Sequence, residues 1–376
     1  MARSKSLKKS RFSTVVQPMA GRVGQARHKV RSWHWYQRWP AYIIFWLVII
    51  SAVSWFVERL MPAVKDPRYG VSFSIKYAKE LGNDWRANYL ALLDDLGIKN
   101  MRLMSYWDQI EPRNDRYDFA DLDWQVEQAA KHGAKVSLAI GFRQPRWPEC
   151  HEPSWAKKLE PESKAWRGQL YDFIEVVMKR YKGNPALESW QLENEPKNNW
   201  FGGCHGPAPT DRLVEEFNLA KKVDPGHPVW MSLSDEHGLP LGQPVPDAYG
   251  FSIYRIVYST NTPIHFYITY PITDWYHRLR AFYIHTFKDR PTYIHELQLE
   301  PWGPAATKKL TIAEQDRSMS VEQMPKNLDY ARKTGIKLQY MWGAEWWYWR
   351  MVKFNDPGPW NAIKQEVTRF NPTAAN

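Results

Sequence analysis

Eight short β-rich runs, each leading into a stretch of helical periodicity, predict a closed (β/α)8 TIM barrel for most of the 376-residue chain. The alternations fill roughly 300 residues, within the range such barrels occupy. A doubly wound sheet is the alternative, but the first run lacks the Gly-rich phosphate loop that would favour it. Ahead of the barrel, a long uncharged run predicts one N-terminal transmembrane helix.

Residues 1–38 hold ten Lys or Arg and no Asp or Glu, and the first acidic residue is Glu58. Of the 51 basic residues, the other 41 nearly balance the 40 acidic ones, so the formal charge of +11 belongs to the tail. The charge therefore gives no support to nucleic-acid binding by the folded part. The tail is expected to be cytoplasmic and disordered. Ala41–Val57 is a run of 17 residues without a charge. As a helix it spans about 26 Å, and Trp39, Pro40 and Leu60, Met61 and Pro62 extend it toward the ~30 Å of a hydrocarbon core. Trp35, Tyr36, Trp39 and Trp55 suit the interfacial belts, and basic residues on the N-terminal side predict that end inside. A cleaved signal peptide is the alternative, opposed by the long basic region and the lack of a clear small-x-small site. The expected division is a tail over 1–38, a signal-anchor over 39–62 and a barrel domain over 63–376.

The barrel runs follow in order. Tyr69–Ser74 is the first strand, and Leu90, Leu93 and Leu96 then recur at helical spacing before Gly97. Lys99–Ser105 is the second strand; Phe119–His132, with Asp near its start and Gly133 after it, is the next helix. Ala134–Ile140 is the third strand, followed by a long Pro/Trp-rich loop to Trp155. Trp166–Lys182 carries Leu170, Phe173, Ile174 and Val177 on one stripe. The fourth strand lies in Ser189–Pro196 (SWQLENEP), where proline should end it and leave Asn194 and Glu195 at the tip. After a helix at Asp211–Lys222 come strands at Val229–Leu233 and Tyr249–Tyr254. A helix near Trp275–Phe287 leads to the seventh strand at Thr292–Glu296, and Val321–Thr334 to the eighth at Lys337–Trp342.

Chemistry in a parallel barrel sits at the C-terminal ends of the strands. Two strand-end glutamates, Glu195 and Glu296, stand about 100 residues apart, a glycosidase-like pair. Glu300 competes with Glu296, which its strand-end place favours. Glu193, two residues before Glu195, should face the same way and reads as a hydrogen-bonded group inside the barrel. Arg102 is a partner for Glu296 or, alternatively, for Glu193. Tyr254 ends the sixth strand within reach of Glu296 or sits in the rim. His295 should point away from Glu296, and neither it nor His237 receives a role. Aromatic content of 15%, with 21 Trp, supplies both core and sugar-stacking rings. Trp342 and Trp346 are candidates for the platform under the reacting sugar, and Trp107 for a further subsite. Cys150 and Cys204 follow the third and fourth strands, so they are either bridged across adjacent loops or two free thiols. No metal or cofactor is signalled, since no Cys/His cluster has ligand spacing.

MRLMSYWDQIEP (101–112), the run YDFADLDWQVEQAAKHGAKVSLAIG, Asn194-Glu195-Pro196, Glu296 and MWGAEWWYW (341–349) together resemble the retaining glycoside hydrolase clan built on this barrel, which includes cellulase-like family 5 and the β-galactosidase-like families. The resemblance covers most of residues 66–355. It implies that Glu195 is the acid/base, Glu296 the nucleophile, Asn194 the partner of the sugar 2-hydroxyl, and Arg102 the cation that keeps Glu296 ionised. HELQLEPWG (295–303) departs from the short strand-seven ending common in family 5. The implied function is a membrane-anchored retaining β-glycosidase acting on an extracytoplasmic poly- or oligosaccharide. An inactive glycan-binding scaffold and a transglycosylase are the alternatives.

Overall fold

A computed structural model of the chain describes residues 35–198, 201–233, 239–240, 242–260 and 264–370. Most of the basic tail, and His237, lie outside the described residues. The chain divides into two units, Met1–Arg59 and Leu60–Asn376.

In the first unit, Trp35–Leu60 is one helix with Pro40 inside it. Its segment Trp39–Leu60 has 22 residues at a mean hydropathy of 2.1. Ile44, Trp46, Val48 and Ile50 lie on different faces and are all more than half exposed, so no single apolar stripe seeks a protein core. At ~1.5 Å per residue the segment spans the ~30 Å of a bilayer core. It is long and apolar enough for a membrane anchor, and a signal sequence meets the same description.

The second unit is a closed parallel barrel of eight strands: β1 (Arg68–Ser72), β2 (Asn100–Met104), β3 (Lys135–Ile140), β4 (Leu187–Leu192), β5 (Val229–Leu233), β6 (Ala248–Ile253), β9 (Thr292–Gln298) and β10 (Leu338–Trp342). Between them β7 (Ile256–Ser259) and β8 (Phe266–Thr269) form a separate antiparallel hairpin. Each expected barrel strand is present, with ends shifted by at most two residues except at the fourth, which stops at Leu192, short of the expected Asn194-Glu195 tip. The hairpin was not anticipated. Nor were the helices Ile75–Leu81, Ala344–Phe354 and Gly358–Phe370; the second reads locally as an aromatic strand end because Trp and Tyr occupy every side of it. Caps fix the helix entries: Ser74, Asp84, Ser163 and Thr311 each accept a backbone N–H of the first turn.

Two features of the register place the site. Ser72, Arg102, Ser137 and Ser189 stand side by side across β1, β2, β3 and β4. Three serines around one arginine leave room for the guanidinium inside the barrel. On β9, Ile294 pairs with Phe251 but Glu296 with Ser252, so one extra residue, His295, is inserted opposite β6; β10 shows the same irregularity. Such a bulge re-aims side chains. Gly250 accommodates it, since a Cβ there would meet the Tyr293 ring at 2.7 Å and His295 at 3.0 Å.

Candidate active site

Glu296 sits near the C-terminal end of β9 and is 5% exposed. Arg102 Nη1 lies 3.2 Å from its Oε1, and the Tyr254 hydroxyl donates to Oε2 at 2.8 Å. The Arg102 guanidinium is wholly buried and also donates to Gln191 (2.5 Å), Asn194 Oδ1 (2.7 Å), Ser72 (3.2 Å) and the His295 carbonyl (3.2 Å). A buried cation without partners would cost several kcal/mol; this one is fully engaged and aims its charge at Glu296. Burial alone would raise the Glu296 carboxyl. The His295 ring, Arg102 and Tyr254 outweigh it and hold the group at about 2.

Glu195 lies across the same space, 8% exposed. The Asn198 amide donates to Oε2 at 2.8 Å, Ser252 donates to Oε1, and its backbone N–H is held by Ser232 at 2.8 Å. His295, expected to point away, instead stands between the two carboxylates. Its Nδ1 is 3.4 Å from Glu296 and its Nε2 3.9 Å from Glu195. The bulge on β9 is the physical cause, because it releases His295 from strict alternation. Burial pushes the imidazole pKa down. With the ring neutral, Arg102 and Tyr254 still stabilise the Glu296 anion.

The β4 tip also differs from expectation. The strand stops at Leu192, and Glu193 and Glu195 take positive φ of 56° and 44°. Alternation therefore does not govern these residues. Glu193 turns toward the loop after β3, where its carboxylate accepts from the backbone N–H groups of Phe142 (2.7 Å) and Arg143 (2.6 Å). Arg212, from helix Thr210–Val223, completes the clamp at 3.0 Å. Arg102 pairs with Glu296 and not with Glu193.

Asn194 accepts from Arg102 and donates through Nδ2 to Glu149 at 2.8 Å. Glu149 was missed from the sequence, where it is one carboxylate in a long Pro/Trp-rich loop. It is buried, and burial together with nearby Glu296 pushes its pKa well up. Beside it, Cys150 and Cys204 are bridged, with Cα atoms 5.4 Å apart, tying the loop after β3 to the loop after β4.

The aromatic assignments need correction. Trp107 and Trp346 are fully buried. Trp107 stacks on Phe173 and packs against Trp155 and Trp166, while its indole N–H donates to Glu111. The Trp346 indole donates to Gln315. Both belong to the core and cannot carry a sugar. Trp342 is at the mouth but 5% exposed, with the Arg146 guanidinium 3.9 Å from its ring centre and 3.8 Å from that of Tyr77. Arg146 also pairs with Glu300 and Glu345. Glu300, the rival of Glu296, is thus committed to a different cation, and burial raises its pKa to about 7.

Residues 79–212 match the family model Glyco_hydro_42, described as beta-galactosidase. That segment reaches from the first barrel helices through Arg102 and the Asn194-Glu195 tip to Arg212. "Beta-galactosidase Bga" of Halorubrum lacusprofundi is 26% identical over 139 residues, 32% of this chain and 19% of that protein. "Probable mannan endo-1,4-beta-mannosidase F" of Aspergillus flavus is 31% identical over 139 residues, 35% of this chain and 28% of that protein. Among solved structures, the cold-adapted β-galactosidase of Rahnella sp. R3 superposes with a TM-score of 0.54 at 14% identity, covering 84% of this chain and 57% of that one. GH5_18 of Streptomyces cattleya, in complex with GlcNAc, gives 0.56 at 12% identity, with 82% and 80% covered. The fold is that of a TIM barrel, and these likenesses support a relationship to the glycoside hydrolase superfamily built on it. Within that superfamily the likenesses fall on β-galactosidase and family 5 proteins, and the chain spans only about a fifth of the first curated relatives' length.

Proposed function

We propose that this chain is a retaining glycosidase that cleaves β-linked sugars outside the cytoplasm, held at the membrane by its N-terminal helix. One observation carries the reading: two strand-end glutamates face one imidazole, and Arg102 and Tyr254 hold Glu296 as an anion. In the first step the Glu296 carboxylate forms a bond to the anomeric carbon. The glycosidic C–O bond breaks, and its oxygen leaves with the proton of Glu195. In the second, Glu195 takes a proton from water, whose oxygen displaces Glu296 and restores both carboxyls. The β-galactosidases and mannosidases among the relatives support a β-linked substrate. The Cys150–Cys204 bridge suits an oxidising compartment, in keeping with residues 1–38 as a cytoplasmic tail, 39–62 as a signal-anchor and 63–376 as the catalytic domain.

Glu195→Ala tests the acid. Hydrolysis of a sugar leaving group should be lost, whereas a dinitrophenyl group, which departs without protonation, should still leave in the first step. Equal retention with both leaving groups would remove Glu195 from the mechanism. An inactive glycan-binding barrel is the second reading, favoured by the guanidinium over Trp342 and by the commitment of the Asn194 amide to Glu149. Sugar binding without turnover by the unaltered protein would decide for it.

Tyr254→Phe gives a pH test with a definite sign. The hydroxyl stabilises the Glu296 anion, so its loss raises that lowered pKa. Protonation then disarms the nucleophile at a higher pH, and the acid limb of kcat/KM should move upward. An acid limb unchanged in position would mean that the Tyr254 hydrogen bond does not control the reacting carboxylate.

A further inference from the structure

The catalytic proposal leaves three aromatic side chains, in line with Tyr254, without a task. Tyr254, whose hydroxyl holds Glu296, lies edge-on to Trp302 with ring centres 5.1 Å apart. Trp302 is 5.4 Å from Phe201, and Phe201 is 5.6 Å from Trp147. The four rings come from four places in the chain: the end of β6, the segment after β9, the loop after β4 and the loop after β3. Tyr254, Trp302 and Phe201 are half-buried, whereas Trp147 is 67% exposed. Exposure is thus greatest at the end farthest along the line from the carboxylates.

Hydrophobic burial does not account for the outermost ring, Trp147. A large ring left two-thirds in water gains little of the ~25 cal/mol per Å² that burial supplies. Successive rings are turned by 84°, 53° and 65°, so none stacks flat on its neighbour. The segments that carry them are pinned. The Trp302 N–H donates to Ser318 at 3.0 Å, and its carbonyl accepts from Tyr258 at 3.0 Å. The Phe201 carbonyl accepts from Arg143 at 3.1 Å. The loops of Trp147 and Phe201 are joined by the Cys150–Cys204 bridge and by the Gly203 N–H, which donates to the Pro148 carbonyl at 2.8 Å.

We propose that Trp302, Phe201 and Trp147 form a binding track for further sugar residues of an oligosaccharide, leading outward from the catalytic pair. The inference rests on the glycosidase reading for its substrate, and it makes that substrate a neutral chain of several units. A pyranose presents an apolar C–H face that packs on an aromatic ring, and rigid aromatic side chains give contact area at low entropic cost. The ring-to-ring steps are comparable to the length of one sugar residue, so each ring can serve one unit of a chain. Loops tethered to one another need less ordering on binding, which preserves affinity.

The test compares kcat/KM on an aryl monoglycoside with that on cello-, manno- and galacto-oligosaccharides from disaccharide to hexasaccharide, using the full chain. For the series that is cleaved, kcat/KM should rise with length. In Trp147→Ala and Phe201→Ala, the ratio of hexasaccharide to monoglycoside kcat/KM should fall about tenfold, the equivalent of about 1.4 kcal/mol of lost contact, with thermal melting unchanged. Monoglycoside hydrolysis with no length dependence, or with a ratio the variants do not alter, overturns the track and leaves the glycosidase reading standing. If the unaltered protein cleaves nothing, fluorescence titration with the same hexasaccharides decides. Binding that Trp147→Ala abolishes supports the track without the catalysis, and absence of binding overturns the track as well.

Discussion

Glu296→Ala should lower kcat on any β-glycoside the protein cleaves by about a million-fold, the scale on which a hydrolase loses activity when its nucleophile is removed. The carboxylate is the group on which the site converges: Arg102 at 3.2 Å, the Tyr254 hydroxyl at 2.8 Å and the His295 ring at 3.4 Å all face it. Removing it also takes the counter-charge from a wholly buried guanidinium, so part of the loss is structural. Glu296→Gln separates the two effects, because the amide keeps the shape and an acceptor for Tyr254 but cannot attack the anomeric carbon. Both variants should lose turnover and the counter-charge of Arg102, but the alanine, which also empties the space and removes the acceptor of Tyr254, should melt at a lower temperature than the glutamine. Azide supplies a small external nucleophile in the vacated space and should restore part of the rate, releasing a glycosyl azide of inverted configuration. Full activity in Glu296→Gln would sink the double-displacement mechanism.

The second large effect is on stability. Glu193→Ala should destabilise the barrel domain by about 3–5 kcal/mol, the usual consequence of breaking a buried ion pair from one side. The carboxylate has no solvent exposure and holds the N–H groups of Phe142 and Arg143 as well as Arg212. Without it two buried donors lose their acceptor, and Arg212 retains Glu216 at 2.6 Å. Glu193 lies two residues from Glu195, so loosening this clamp should also reduce turnover before the domain unfolds. The measurement is a denaturant titration of the fragment from Lys65 alongside its activity at low temperature. An unchanged midpoint would mean that the loop amides find water or other partners, and that the clamp contributes little.

Much of the fold was legible because it rests on local pattern. Leu170, Phe173, Ile174 and Val177 recur on one helix face, and all four are buried against the barrel. Val229–Leu233 reads as a strand because parallel strands buried on both sides are near-continuous apolar runs. The carboxylate pair was legible for a similar reason, since each residue sits where an apolar run ends. The hairpin of β7 and β8 and the helix Ala344–Phe354 were not, because neither has a one-sided pattern.

The sequence by itself determined the eight-strand order, the apolar N-terminal helix and the placing of Glu296 near the end of its strand and Glu195 just past the end of its own, because a period of two or 3.6 residues is a property of adjacent residues. Only the tertiary structure decided which side chains meet. Barrel closure brings Arg102 on β2 against Glu296 on β9, and a one-residue bulge turns His295 inward. Positive φ at Glu193 sends its carboxylate to a loop some fifty residues away in sequence, and depth beneath the helices makes Trp107 core and leaves Trp147 at the rim. Those outcomes depend on contacts between residues far apart in the chain, and local periodicity carries no information about them.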